Sequence, residues 1–253
     1  MTEPLRIDLH VHTCWSPDAR IAPAVLVERA AELGLDRVAV TDHGEVEGAL
    51  RAQALDWRRV IVGEEIRCRG RTEIIGLFLT ERIPAGLRLE EAAERIRDQG
   101  GLVYAPHPWA YLVTPGRHAR RAVEAADVVE VFNSRAFLEM WNRKAASTAR
   151  SRGLAGAASS DAHFVHELGR AWTEVPEFEG PDGLLEALRR GRPVARATGS
   201  PAVHVVSVAW RTGRAAGHLL PSGAGAPDRV PLRGLPCEAG QYVPPSSETR
   251  RRL

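Results

Sequence analysis

The chain of 253 residues has little that would staple or anchor it. Its three cysteines, Cys14, Cys68 and Cys237, are odd in number, far apart and without a CxxC pair. Neither a disulfide framework nor a thiolate zinc site is indicated. Nowhere do eighteen apolar residues run together, which excludes a membrane-spanning helix. The start, Met1-Thr2-Glu3-Pro4-Leu5-Arg6, lacks a basic stretch leading into an apolar core, so no signal peptide is expected and the expected location is cytoplasmic. A net charge of +2 is too small to argue for nucleic acid or a membrane by itself. Lysine is nearly missing: Lys144 stands alone against 33 arginines. A biased codon supply is the plain explanation, although bidentate recognition of phosphate or carboxylate would also call on arginine.

What is present is ordinary in bulk. Hydrophobic residues at 44% and charged residues at 26% exclude a wholly disordered or fibrous chain. The length suits one large domain, or one domain and a small appendage. From residue 5 to about residue 190, short apolar runs alternate with helix-like stretches, the pattern of a mainly parallel α/β sheet. Strands are expected at Ile7 to Val11, Arg37 to Thr41, Val60 to Cys68, Ile74 to Leu79, Leu102 to Ala105, Val128 to Phe132 and Leu154 to Ser159. Roughly seven strands in that length fit a small barrel better than an open sheet. A helix at Pro181 to Arg190 and a strand at Ala202 to Trp210 are expected as an appendage on the barrel. From Thr212 to Leu253 Gly, Pro, Ser and Arg dominate, so that segment is expected to be a disordered tail.

Chemistry gathers at the strand ends. In Asp8-Leu9-His10-Val11-His12-Thr13 the two histidines are two apart on a strand and leave the same face, where they can chelate one cation. Thr41-Asp42-His43-Gly44 ends the second strand. Val62-Gly63-Glu64-Glu65-Ile66 puts two acids into an apolar strand, on opposite faces; the one facing the barrel centre needs compensation, which a metal ion would supply. Ala105-Pro106-His107-Pro108, Glu130-Val131-Phe132-Asn133 and Ser159-Ser160-Asp161-Ala162-His163 end three further strands. Ligands of parallel α/β barrels gather at these carboxyl ends.

Taken in order, Asp8-Leu-His-Val-His-Thr13, Ser16-Pro17-Asp18, Thr41-Asp-His43, Gly63-x-Glu65, Pro106-His-Pro108 and Ser160-Asp-Ala-His163 resemble the successive motifs of the PHP family, named for polymerase and histidinol phosphatase domains. Leu168-Gly169-Arg170-Ala171-Trp172-Thr173 resembles the associated segment that follows some stand-alone members. The resemblance implies a distorted (β/α)7 barrel with two or three metal ions in its mouth. Its expected divisions are a barrel at 1–175, an associated C-terminal segment at 176–211 and a tail at 212–253. Carried over, His10, His12, Glu65 and Asp161 would hold the first ion. Glu65 would bridge to a second that also takes His107, and Asp18, His43 and His163 would hold a third. Glu64 would be a wall residue. Where the family often supplies a further histidine or cysteine, this chain has Asn133, a weak amide ligand.

Imidazole and carboxylate without thiolate suit zinc, manganese or iron. Two such ions about 3.5–4 Å apart can generate hydroxide near neutral pH and clamp a phosphoryl oxygen. The expected function is therefore hydrolysis of a small phosphate monoester by a metal-bound hydroxide, the substrate being a nucleotide, a sugar phosphate or an amino-alcohol phosphate. Asp161 would orient that hydroxide, and His163 or His43 would protonate the leaving group. Arg135, Ser134, Arg143 and Arg20 are the candidate phosphate contacts. Phosphodiester cleavage in nucleic acid and a metal-stabilised, non-catalytic interaction module are the alternatives. No membrane partner is expected, and the sequence leaves the oligomeric state open.

Overall fold

A computed structural model of the chain describes residues 3–109 and 116–196, the side chains of 116–118 apart. The first half runs β1 (Leu5–Val11), α1 (Pro23–Glu32), β2 (Arg37–Val40), α2 (Glu47–Leu55), β3 (Val60–Arg67), β4 (Glu73–Leu77) and α3 (Leu89–Asp98). It continues as β5 (Leu102–Ala105), α4 (Gly116–Ala125), β6 (Val128–Asn133), α5 (Glu139–Arg152), β7 (Ala155–Ser159), β8 (Ala171–Val175), α6 (Gly180–Arg189) and β9 (Arg192–Ala195). Local chemistry sets several of these bounds. Proline opens α1 in its first turn, where its missing N–H costs nothing. Gly153, at φ 66°, closes α5 in the left-handed conformation that glycine adopts without strain.

All nine strands form one sheet in the order β7-β6-β5-β4-β3-β2-β1-β8-β9. β1, β2 and β3 are parallel, as are β5, β6 and β7, while β4 runs against both of its neighbours. The sheet curls until the chain just after β7 reaches β1. There the Asp161 amide donates to the His10 carbonyl at 2.8 Å, and the His12 amide donates to the Ala162 carbonyl at 2.9 Å. The result is a nearly closed barrel, the distorted α/β barrel that the strand count and the motif order imply.

Strand alternation divides the interior. Val38, Val40, Val60, Val62, Val103 and Val129 pack outward into one cluster with the helices α1 to α4. Ile61 and Val128 share strand faces with Glu65 and Glu130 and join Ile75, Leu102 and Tyr104 in a second buried cluster. The barrel is thus plugged with apolar side chains below and carries its acids and imidazoles toward the carboxyl end.

β8 and β9 were not expected as strands. β8 pairs antiparallel with the first half of β1, and β9 pairs with β8 at the sheet edge. β9 contains Pro193, a residue that sheets accept at an edge and that reads as loop in a sequence. α6 lies where a helix was expected. The strand expected at 202–210 and the tail expected from 212 onward lie outside the described residues. Among the described residues, no helix is long and apolar enough to cross a membrane.

Candidate metal centre

The strand ends converge. His10 lies in β1 and His12 just beyond it, His43 follows β2, Glu65 lies within β3, and His107, Asp161 and His163 come shortly after β5 and β7. His107 and Asp161 have φ of 56° and 53°, a left-handed backbone that non-glycine residues rarely adopt. Each such residue costs on the order of 1–3 kcal/mol, and that strain collects where side chains must be aimed.

His10 Nε2 and His12 Nε2 face each other at 3.0 Å. Glu65 Oε2 stands 3.4 Å from both, and Asp161 Oδ1 lies 3.5 Å from the first and 3.4 Å from the second. On its other oxygen, Glu65 Oε1 approaches His107 Nε2 at 3.1 Å. Toward solvent, Asp18 Oδ1 is 3.6 Å from both His43 Nε2 and His163 Nε2. Three groups of donors therefore form, each with its atoms within 4.8 Å: His10, His12 and Asp161; His10, Glu65 and His107; and His12, His43 and His163. Tetrahedral ligands held at 2.0–2.1 Å from one cation sit about 3.3–3.4 Å apart, close to most of these separations.

The surroundings decide which ring nitrogen points inward. His10 Nδ1 donates to Glu130 Oε1 at 3.1 Å. His12 Nδ1 donates to Ser16 Oγ at 3.0 Å, and that hydroxyl donates to Asp42 Oδ1 at 2.7 Å. His163 Nδ1 donates to the Asp161 carbonyl at 2.9 Å. With Nδ1 committed as donor, the Nε2 lone pairs of His10, His12 and His163 are turned into the cluster. Two lone pairs facing each other at 3.0 Å repel unless a cation lies between them. Buried Glu65 Oε1 and Oε2 and Asp18 Oδ1 likewise have no hydrogen-bond donor. Both observations fit divalent ions held by this donor set.

The electrostatics are those of interleaved opposite charges. Burial works against charge on Glu65, yet His43 and His10 hold its carboxyl well below the usual range; Asp161 is held down in the same way, chiefly by His10. Burial also opposes charge on His10, but Asp161 and Glu130 raise its pKa well above the ordinary imidazole value. His43 is pushed up to about 9 against its burial, mainly by Glu65. Burial and the neighbouring His12 hold His163 well below the ordinary value.

The other sequence candidates fall differently. Asn133 turns its amide nitrogen to Glu130 Oε2 at 2.9 Å and Asp161 Oδ2 at 3.1 Å, while its oxygen accepts the Arg135 and Ala136 amides. It anchors two carboxylates and offers the cluster no free oxygen, which departs from its expected place as a ligand. Arg135 is buried and paired with Glu167 at 3.0 Å, and Glu167 accepts the His163 amide at 2.8 Å. The guanidinium therefore braces the loop that carries Asp161 and His163. Ser134 is buried and donates to the Ser160 carbonyl at 2.7 Å, a structural bond at the strand end. Arg143 lies on the exposed face of α5, paired with Glu139 at 2.8 Å. Arg20 is exposed, and its amide donates to the His163 carbonyl at 2.8 Å, at the rim. Glu64 faces away, accepts the Ile83 amide at 2.7 Å, and is pushed by burial up to about 7. Cys68 is free and buried.

Sequence reasoning missed the supports. Glu130, Tyr104, Ser16 and Asp42 were not assigned, although Glu130 gave a signal as an acid in an apolar strand. Tyr104 donates to Glu130 Oε1 at 3.1 Å, completing that carboxylate's shell.

Comparison with known proteins decides the lineage. The PHP domain model matches residues 8–100, and the PHP-associated model matches 139–193. An uncharacterised protein of Methanocaldococcus jannaschii is 37% identical over 188 residues, covering 71% of this chain and 75% of the relative. The chain belongs to the PHP family. Members depend on metal ions, and the donor groups above are where this PHP protein can hold them. Its fold is shared with a protein assigned as a metal-dependent phosphoesterase from Bifidobacterium adolescentis, with a TM-score of 0.55 at 17% identity over 76% of this chain and 98% of the other. A lesion-specific endonuclease from Pyrococcus furiosus also shares it, with a TM-score of 0.53 at 18% identity over 75% of this chain and 57% of the other.

Proposed function

We propose that this PHP protein is a metal-dependent phosphoesterase that hydrolyses a small phosphate monoester. The observation that carries the reading is the buried convergence of five imidazoles on Glu65, Asp161 and Asp18, with carboxylate oxygens that no donor satisfies. Divalent ions held by His10, His12, Glu65, His107 and Asp161 would activate water and neutralise charge on the phosphoryl oxygens.

The chain's own residues do the rest. Glu130 and the Ser16–Asp42 pair fix the tautomers of His10 and His12, so the donor atoms are aimed before any ion arrives. Asn133 holds Asp161 Oδ2, leaving Oδ1 toward the cluster to orient the attacking water. His43, with 31% of its side chain exposed, is the imidazole nearest solvent and the one placed to give a proton to a departing alkoxide. His163, which turns its Nε2 lone pair into the cluster and is held well below the ordinary imidazole value, serves as a donor to the ions instead. Arg135 acts through the loop it braces, by keeping Asp161 and His163 in register.

Cleavage of a nucleic-acid phosphodiester is the second reading, favoured by the fold shared with the lesion-specific endonuclease. The test is hydrolysis of p-nitrophenyl phosphate, bis(p-nitrophenyl) phosphate and a single-stranded oligonucleotide by protein loaded with manganese. Monoester turnover that His10→Ala abolishes is the expected result. Diester-only turnover transfers the assignment to the second reading, and no turnover on any of the three overturns both.

A further inference from the structure

Outside the metal centre, a cavity of about 340 Å³ opens between α4 and α5. Its lining includes Trp109, Arg120, Val123, Lys144, Thr148 and Arg152. Three of these six side chains are cations, brought together from two helices. Lys144, Thr148 and Arg152 lie four residues apart on α5 and so share one face of that helix. Val123 is buried and Trp109 partly so, which gives the cavity an apolar wall, while Arg120, Lys144 and Arg152 are exposed along its rim. Arg152 has a carboxylate partner, Glu124, at 3.4 Å. Among the described residues, Arg120 and Lys144 have none; Lys144 Nζ instead lies 5.1 Å from the centre of the Trp109 ring. Like charges gathered in a concave site repel one another unless an anion enters. The single lysine of an arginine-rich chain thus sits here, a compact charge steered by an indole.

Trp109 is two residues beyond His107, so the cavity wall and the metal centre share the segment that leaves β5. We infer that this cavity is a second oxyanion subsite, which takes a phosphate group other than the one being hydrolysed. The volume suits a phosphate with part of a small molecule attached. Arg120 supplies a planar fork of donors, Lys144 a point charge, and the Thr148 hydroxyl, which donates to the Lys144 carbonyl at 2.9 Å, keeps its lone pairs for a donor on the ligand. The same chemistry has two sources, the distal phosphate of a bisphosphorylated substrate or free inorganic phosphate. The first source rests on the proposed monoester hydrolysis; the subsite itself does not.

Because the chain has one ε-amine, the subsite can be read without turnover. Full-length, metal-loaded protein is treated with acetic anhydride in phosphate, in pyrophosphate, or in sodium chloride of equal ionic strength, and acetylation of Lys144 is followed by mass spectrometry. The expected result is several-fold slower labelling in phosphate and pyrophosphate, with the protection lost in Arg120→Gln. Equal rates in all three salts, or protection that survives in Arg120→Gln, overturn the inference. A second arm separates the sources, using phosphate release from alkanediol bisphosphates of graded length and from the matching alkyl monophosphates. In Arg120→Gln/Lys144→Gln, kcat/KM for a bisphosphate falls roughly tenfold while the monophosphate is unchanged if the substrate supplies the group, the scale of one charge-assisted hydrogen bond. Protection without that selective loss assigns the subsite to free phosphate. Absence of turnover on p-nitrophenyl phosphate counts against the hydrolase reading alone, since the labelling result stands apart from it.

Discussion

Glu130 shows how a residue that touches no ion can govern one. Its Oε1 accepts from His10 Nδ1 and from Tyr104, and its Oε2 from Asn133, so it sets His10's tautomer from within the barrel. Glu130→Gln keeps the shape and removes the charge. We expect metal affinity to fall tenfold to a hundredfold, read by titration with a chelating dye, while the far-ultraviolet dichroism is unchanged. Protons compete at the same nitrogens. His10, His43 and His107 all have raised pKa values, with His43 at about 9, so protons compete with cations for these imidazoles. Loading the centre must expel those protons. Apparent metal affinity therefore rises with pH and levels off only beyond the His43 value, and calorimetry in buffers of different ionisation enthalpy counts the protons released. At this scale the sequence was informative where alternation or motif order aimed a side chain, as for His10, His12 and Glu65. It was silent where the partner is remote, as for His10 and Glu130, which meet across 120 positions.

Single elements carry their own constraints. Gly48, in the first turn of α2, lies where an added Cβ would come within 2.2 Å of Asp42 Oδ2 and 2.3 Å of Thr13 Oγ1. Asp42 accepts from the Thr13 amide at 2.7 Å and also supports Ser16. Gly48→Ala must push α2 away or break that network, at a cost of about 1–3 kcal/mol. A lowered midpoint in urea together with weaker metal binding is the expected pair of results. The loop after β7 depends on a different bond. Arg135→Gln leaves Glu167 charged and buried without its cation, which costs about 3–5 kcal/mol, measurable by the same denaturation. Legibility also varied by element. The hydrophobic strands β1 to β7 stood out as short apolar runs between longer helical stretches. β8, with Thr173 and Glu174 in five residues, and β9, with Arg192 and Pro193 in four, pair only because β1 offers an edge.

The molecule as a whole couples loading to stability. Loading exchanges imidazole protons for cations, and an ion that binds only the folded chain adds about 2.7 kcal/mol per site at a hundredfold excess over its Kd. Zinc or manganese should therefore raise the thermal midpoint, EDTA should reverse the rise, and His12→Ala should remove most of the effect. The barrel was readable from strand count and motif order, whereas the residues that make its closure could not be read. The closure depends on the main chain of residues 161–162 reaching β1, a contact with no signature in side-chain pattern.

That closure has a consequence of its own. The amides and carbonyls that join the two ends of the curled sheet belong to His10, His12, Asp161 and Ala162, so three donors of the ion cage are also the latch of the barrel. Ions gripping the side chains of His10, His12 and Asp161 would clamp the backbone bonds beside them. Demetallation would then unfasten the cylinder first at this point, exposing the β1 and β7 edges to proteases and to one another. For this protein, starvation for metal would be felt as accelerated turnover of the chain as much as lost chemistry.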